Sequence, residues 1–186
     1  MLKYLSCVLV LLTSLPVVAA ELGDDGLHKA PWIQDTFKDL SEDLVDANAE
    51  GKRLMVMIEQ RGCIYCTKMH EEIYPLPHIT NYITDNFYVV QINMFGDVEV
   101  TDFDGTVSTE KEMVKKWGIL FTPTILFFSE DVAVDIPANK ASVAVMPGAF
   151  GPGTTFDMLN WVVVKGYDKE ESFQKYHARK ISERNN

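Results

Sequence analysis

Cysteine is scarce in this chain: Cys7, Cys63 and Cys66 are all it has in 186 residues. So few cannot build the multiply stapled scaffold of small secreted domains, and a chain this long can bury a sizeable core without staples. Nor is there a second closely spaced pair to complete a four-cysteine metal site. Positive charge is also short. Seventeen Lys and Arg face 27 Asp and Glu, a formal net charge of −10. No basic stripe runs along the chain, which argues against nucleic acid and anionic lipid as partners. The acidic surplus instead gives a well-hydrated surface. There is no internal repeat and no low-complexity tract. The apolar stretch from Leu5 to Val18 is shorter than the roughly 20 residues a membrane span needs.

That stretch reads as part of an export signal. Lys3 supplies the positive start, and Val18-Ala19-Ala20 puts small residues at the cleavage position before Glu21. Residues 1–20 are therefore expected to be a signal peptide, with an uncleaved anchor as the alternative, and no stable membrane insertion is expected once it is removed. Cleavage would also remove Cys7 and Lys3, the only charged side chain of the segment, taking the net charge from −10 to −11. Cys63 and Cys66 would then be the only cysteines, in a compartment that permits disulfides.

Residues 21–34 are expected to be an N-terminal lead-in, of which 21–31, polar with Gly and Pro, read as loose. Ile33, Phe37, Leu40, Leu44 and Ala47 recur at three- and four-residue spacings, which predicts a helix over 33–49. Leu54–Ile58 is a continuous apolar run, suited to a strand covered on both faces. A helix is expected over 63–73, stopped by Pro75 and Pro77, then a short helix over 78–86 and a second strong strand over 87–93. Residues 95–108, with Gly96, Gly105 and four acidic residues, read as an exposed loop. A helix over 109–117 would turn Met113, Val114 and Trp117 inward. A third apolar strand follows Pro123, with short antiparallel partners expected at 131–136 and 142–147. The stripe Phe156, Leu159, Val162 and Val163 marks a last long helix. Residues 167–186 form a charged C-terminal helical extension that Phe173 and Tyr176 could dock. Strands alternating with helices indicate one α/β domain over residues 35–166.

The chemistry centres on Cys63-Ile64-Tyr65-Cys66. A two-residue gap suits a redox dithiol or half of a metal site. The first cysteine follows a strand and opens a helix, where unpaired N–H groups and the helix dipole favour a thiolate. The gap places Cys66 one turn along, within reach of Cys63. Cys63, the more exposed, is the expected nucleophile, and Cys66 would resolve the mixed disulfide. A static bridge is the alternative, but so small a loop removes little chain entropy. A zinc site would have to recruit His70 and Glu71 with no distant cluster to help, so neither a metal nor a cofactor is expected.

Strand, Cys-x-x-Cys helix, strand, helix and the Thr122-Pro123-Thr124 strand entry resemble the thioredoxin superfamily over residues 35–166. More narrowly, Glu59-Gln60-Arg61-Gly62, Met146-Pro147-Gly148-Ala149-Phe150 and Tyr167 to Gln174 resemble the periplasmic (SoxW-like) thioredoxins of bacterial sulfur-oxidation systems. The resemblance implies a thioredoxin-like fold with a central mixed β-sheet flanked by helices, and a cis Thr122–Pro123 bond facing the dithiol. It implies protein disulfides as clients and an inner-membrane thiol-electron transporter as the source of electrons. Ile64, Tyr65, Phe121, Thr122 and Pro123 are then the candidate client-binding residues. A threonine before the proline is more like the disulfide isomerases than like common cytosolic thioredoxins. Isomerase, oxidant, or a client-binding module with incidental redox chemistry therefore stay open beside reductase. The chain also departs from the family: Gly62 replaces the usual Trp, Ile64-Tyr65 fills the gap, and Met57 stands where a buried Asp would accept the proton of the resolving cysteine. Glu59, on the same strand face as Met57, is the candidate substitute.

Overall fold

A computed structural model describes residues 21–133 and 135–185; the expected signal segment lies outside the described residues. The chain opens with a two-stranded hairpin, β1 (Glu21–Leu22) and β2 (His28–Lys29), and then β3 (Ile33–Gln34). Helix α1 spans Leu40–Ala49, and β4 spans Arg53–Glu59. Helix α2 (Ile64–Lys68) runs straight into one wider turn of π-helix (Met69–Ile73), followed by α3 (Pro77–Asn86) and β5 (Phe87–Asn93). A hairpin of β6 (Glu99–Thr101) and β7 (Val107–Thr109) leads into α4 (Glu110–Lys116). The second half holds β8 (Thr124–Phe127), α5 (Ala138–Ala141), β9 (Ala144–Pro147), α6 (Pro152–Val163), a 3₁₀ turn (Gly166–Asp168) and α7 (Phe173–Arg184).

Five strands make one mixed sheet in the order β3-β5-β4-β8-β9. Strand β4 lies parallel to β5, pairing Met57 with Gln91 and Glu59 with Asn93, and antiparallel to β8. Strand parity divides the core. Met55, Met57, Val89 and Phe127 face the dithiol helix, α3 and α6, while Leu54, Val56, Val90 and Leu126 face α1 and α4. Helices on both faces explain why β4, β5 and β8 read as unbroken apolar runs. This is the mixed sheet flanked by helices that the resemblance implied.

Four expectations need correction. The stretch over 21–31 is not loose: β1 and β2 pair within it and Leu27 is buried, and just beyond it Ile33–Gln34 joins the sheet beside β5. The helix expected from Ile33 starts only at Leu40, because Asp39 caps it by accepting the Ser41 and Glu42 N–H groups. Phe37, read as part of the buried stripe, is 95% exposed. The loop expected at 95–108 contains the β6–β7 hairpin, with Val100 and Asp102 buried. Of the two antiparallel partners expected after β8, β9 forms, whereas the described residues of 131–136 form no strand. Elsewhere the stripe of α6 packs inward through Leu159 and Val162, and α7 docks through Tyr176 and Phe173.

Candidate active site

Strand β4 aims the chain at the dithiol, and Gly62 makes the turn. Its φ of +71° lies in the left-handed region, where a side chain is strained. Cys63 then caps α2: its Sγ accepts the Cys66 N–H at 3.0 Å. The two cysteines are joined as a disulfide with Cα atoms 5.2 Å apart. Cys63 is 7% exposed and Cys66 1%, so an incoming thiol meets Cys63 first. The Cys63 sulfur thus sits at the N-terminal end of this helical run, on the Cys66 N–H.

The Thr122–Pro123 peptide is cis and lies against the pair, with the Thr122 hydroxyl donating to Cys63 Sγ at 3.3 Å. Cys63, Ile64, Tyr65, Leu120, Phe121 and Thr122 line a cleft of about 290 Å³. Ile64, Tyr65, Leu120 and Phe121 are all exposed, which surrounds a nearly buried disulfide with an apolar rim. Such a rim is suited to a partner segment laid across the sulfurs. Trp117 is core, its Nε1 donating to buried Asp102, and Lys68 is on the surface. Met57 is buried in the sheet against Ile125.

Glu59 turns inward and is 1% exposed. It accepts from His70 Nε2 at 3.0 and 3.2 Å and from Gln91 Nε2 at 2.7 Å. Gln91 also donates to the His28 carbonyl and accepts from Lys29. The His28 ring stacks on His70 with centroids 4.8 Å apart, and its Nε2 lies 3.0 Å from Thr67 Oγ1. The Thr67 hydroxyl donates to the Cys63 carbonyl, so it accepts from His28, and His28 Nδ1 is left bare and buried without a partner. Burial, then the neighbouring His70, pushes the His28 pKa down, which fits a neutral ring. Trp32 stacks on His70 from the other side and Tyr74 meets it edge-on. Burial, then the charge of Glu59, raises the Tyr74 pKa well above the ordinary value.

The structure thus brings Cys63, Cys66, Ile64, Tyr65, Phe121, Thr122 and Pro123 together on one side, with Glu59 buried behind the helix. Sequence reasoning did not assign His28, His70 and Gln91 to this site. Gln91 was legible as a lone polar residue inside an apolar strand, a position that demands a partner. No group of three or more His, Cys, Asp or Glu side chains among the described residues could hold a metal ion.

Residues 40–134 match the family model described as Thioredoxin-like domain. The chain belongs to the thioredoxin-like domain family. Among solved structures, a thioredoxin-fold protein from Helicobacter pylori is 16% identical with a TM-score of 0.54, over 71% of this chain and 86% of its own. A thioredoxin from Thermus thermophilus is 21% identical with a TM-score of 0.52, over 69% and 86%. At these identities the likeness is one of fold. No curated protein sequence matches the chain. Within this thioredoxin-like protein, the disulfide stands at the start of the first helix after a central strand. No helix among the described residues is long and apolar enough to cross a membrane.

Proposed function

We propose that this is an exported thiol–disulfide oxidoreductase that reduces protein disulfides through Cys63 and Cys66. The observation that carries the reading is the pairing of the two cysteines at a helix start, with Thr122 on Cys63 Sγ and an open apolar rim. In the reduced protein the Cys63 thiolate attacks a client disulfide. One client sulfur leaves, and Cys63 holds the other in a mixed disulfide. Cys66 then attacks Cys63 Sγ, which releases the second client sulfur and restores the Cys63–Cys66 bond. Ile64, Tyr65 and Phe121 offer apolar contacts to the client, and Thr122 and Pro123 border the sulfurs. Glu59 supplies the buried negative charge that assists removal of the Cys66 proton.

The direction of electron flow rests on the resemblance to the periplasmic thioredoxins of sulfur oxidation. On that reading the signal segment delivers the protein to the periplasm, and an inner-membrane thiol transporter reduces it again. Purified protein, reduced beforehand, is expected to cleave a protein disulfide. Cys63→Ser should abolish this, and Cys66→Ser should trap a client as a mixed disulfide. Full activity in Cys63→Ser would defeat the proposal. The reduction potential of the pair decides direction: near about −270 mV favours reduction of clients, whereas near about −120 mV favours their oxidation.

A further inference from the structure

We propose that His70, rather than Glu59 directly, accepts the Cys66 proton in the resolving step, and that His28 of the N-terminal hairpin positions it. The proposal rests on the dithiol reading above. Cys66 and His70 are both buried and stand four residues apart on one continuous helical run, which puts them on one face about 5–6 Å apart at Cβ. A helical side chain leans toward the N-terminus of its helix, so the imidazole leans toward Cys66. Glu59 takes His70 Nε2 as its donor and thereby leaves Nδ1 with the free lone pair. A carboxylate that fixes the tautomer of a histidine and steadies the imidazolium that forms is the arrangement that makes histidine an efficient base.

The step balances. The Cys66 proton passes to His70 Nδ1. The Cys66 thiolate attacks Cys63 Sγ, the Cys63–Cys66 bond forms, and the bond from Cys63 to the client breaks. The client sulfur leaves with the electron pair and takes a proton from water. His70 borders a cleft of about 380 Å³ lined also by Lys29, Pro31, Trp32, Tyr74 and Thr80, and through it the imidazolium returns its proton to solvent.

Every element packed on His70 serves this assignment. Glu59 comes from β4, and Gln91 from β5 holds it. Tyr74 follows on the same helical run and, with its pKa raised, brings no charge. Trp32 and His28 come from the N-terminal segment, and His28 is neutral because a second proton on its buried Nδ1 would find no acceptor. Glu71, on the exposed side, Lys29, on Gln91, and Glu21, in the cleft that His70 borders, are the other charged groups nearby. The hairpin that carries His28 is fastened beside the dithiol: Arg61 donates to the Asp24 carbonyl and its side chain fills the space that a Cβ on Gly26 would need. His28 thus stacks on His70 while bonding to Thr67, which holds the Cys63 carbonyl.

The two sulfurs can be timed separately. Reduced protein mixed with an equimolar aromatic disulfide, 5,5′-dithiobis(2-nitrobenzoate), releases one coloured thiolate when Cys63 attacks and a second when Cys66 resolves. His70→Gln keeps a donor for Glu59 but loses the base. It is expected to slow the second release on the order of tenfold or more at pH 7 and to leave the first within about twofold. The deficit should vanish above about pH 9, where a thiol ionises unaided. His28→Phe keeps a ring over His70 and loses the Thr67 bond, and it should slow the second release alone by several-fold. An unchanged second release in His70→Gln, or slowing in Glu59→Gln without slowing in His70→Gln, would overturn the assignment. Absence of the first release in the parent protein would instead defeat the dithiol reading. Should His70→Gln not fold, nitrogen NMR of the parent decides: a proton on His70 Nε2 and none on Nδ1 is expected, and the reverse tautomer rejects the proposal.

Discussion

Replacing Glu59 with Gln probes the least ordinary feature of the site, a carboxylate sealed inside the protein. The group is 1% exposed and accepts from two side chains, His70 and Gln91. Hydrogen bonds to an ionised acceptor contribute roughly 1.5–3 kcal/mol each and neutral ones about 1 kcal/mol, so making both neutral removes about 1–4 kcal/mol in all. The amide also turns one oxygen into a donor. Facing Gln91 Nε2, it meets another donor. Facing His70, it forces Nε2 to accept and drives the ring proton to Nδ1, the atom that must receive the Cys66 proton. Either outcome should lower the melting temperature of the oxidised protein by about 2–16 °C, given roughly 2–4 °C per kcal/mol at this chain length. The second orientation should also slow resolution while sparing the Cys63 attack. Calorimetry of the oxidised form and the two-phase thiol release measure the two effects. A melting point within a degree of the parent, with both rates unchanged, would refute the reasoning. A lower melting point with parental rates would leave Glu59 a structural acceptor and remove it from the chemistry.

Three further substitutions test the scaffold. Asp102 is buried and accepts from the backbone N–H of Phe103 and Ala138, from Lys116 and from Trp117 Nε1, so Asp102→Ala leaves buried donors unpaired and should cost about 3–5 kcal/mol in denaturant unfolding; a loss under about 1 kcal/mol contradicts that network. Burial pushes the Asp43 pKa up to about 6, outweighing the Thr36 hydrogen bond, with Asp39, Asp46 and Glu42 adding to the rise. Its folded value lies above the ordinary 3.8, so stability falls as pH climbs from about 4 past 6. Asp43→Asn should therefore raise the melting temperature at pH 7 and change little near pH 4, and equal gains at both would rule out ionisation as the cause. Burial raises the Asp157 pKa, but Arg184 and His177 outweigh it and hold the carboxyl below its ordinary value. The stabilisation they give is present above about pH 4 and lost as pH falls through the folded value. Asp157→Asn should speed amide hydrogen exchange in α7 at pH 7, and exchange at the parental rate would show that the ion pairs do not hold this helix.

The strands that carry the sheet were legible because burial on both faces leaves no polar alternation, and the dithiol was legible from its place between strand and helix. The misread segments had competing local signals. Asp39 followed three residues later by Glu42 is a helix-start pattern, but an accidental apolar spacing from Ile33 through Phe37 extends the apparent helix across it. Asp104-Gly105 is a hairpin turn signal, outweighed by the acidic and glycine content around it. The face of Glu59 followed from strand parity, but its partners did not. His70 and Gln91 lie 11 and 32 residues from Glu59 along the chain, and His28 lies 42 residues before His70, on which it stacks; only the β4–β5 register and the returning hairpin bring them together.

The turn of π-helix at Met69–Ile73 supplies the physical reason that this cluster fits behind a dithiol. In an α-helix four residues overshoot a full turn by about 40°, so Cys66, His70 and Tyr74 would fan through about 80°. The Tyr74 N–H reaches back five residues to the Met69 carbonyl, and this wider turn unwinds part of that drift. Met69 and Ile73 stay in the core, while His70 and Tyr74 both meet Trp32. Glu59 stands four residues before the first cysteine at the end of β4, and Met57, two residues earlier on the same strand face, keeps the sheet interior apolar. At the strand end the Glu59 carboxylate reaches His70, and the π turn brings the imidazole to meet it.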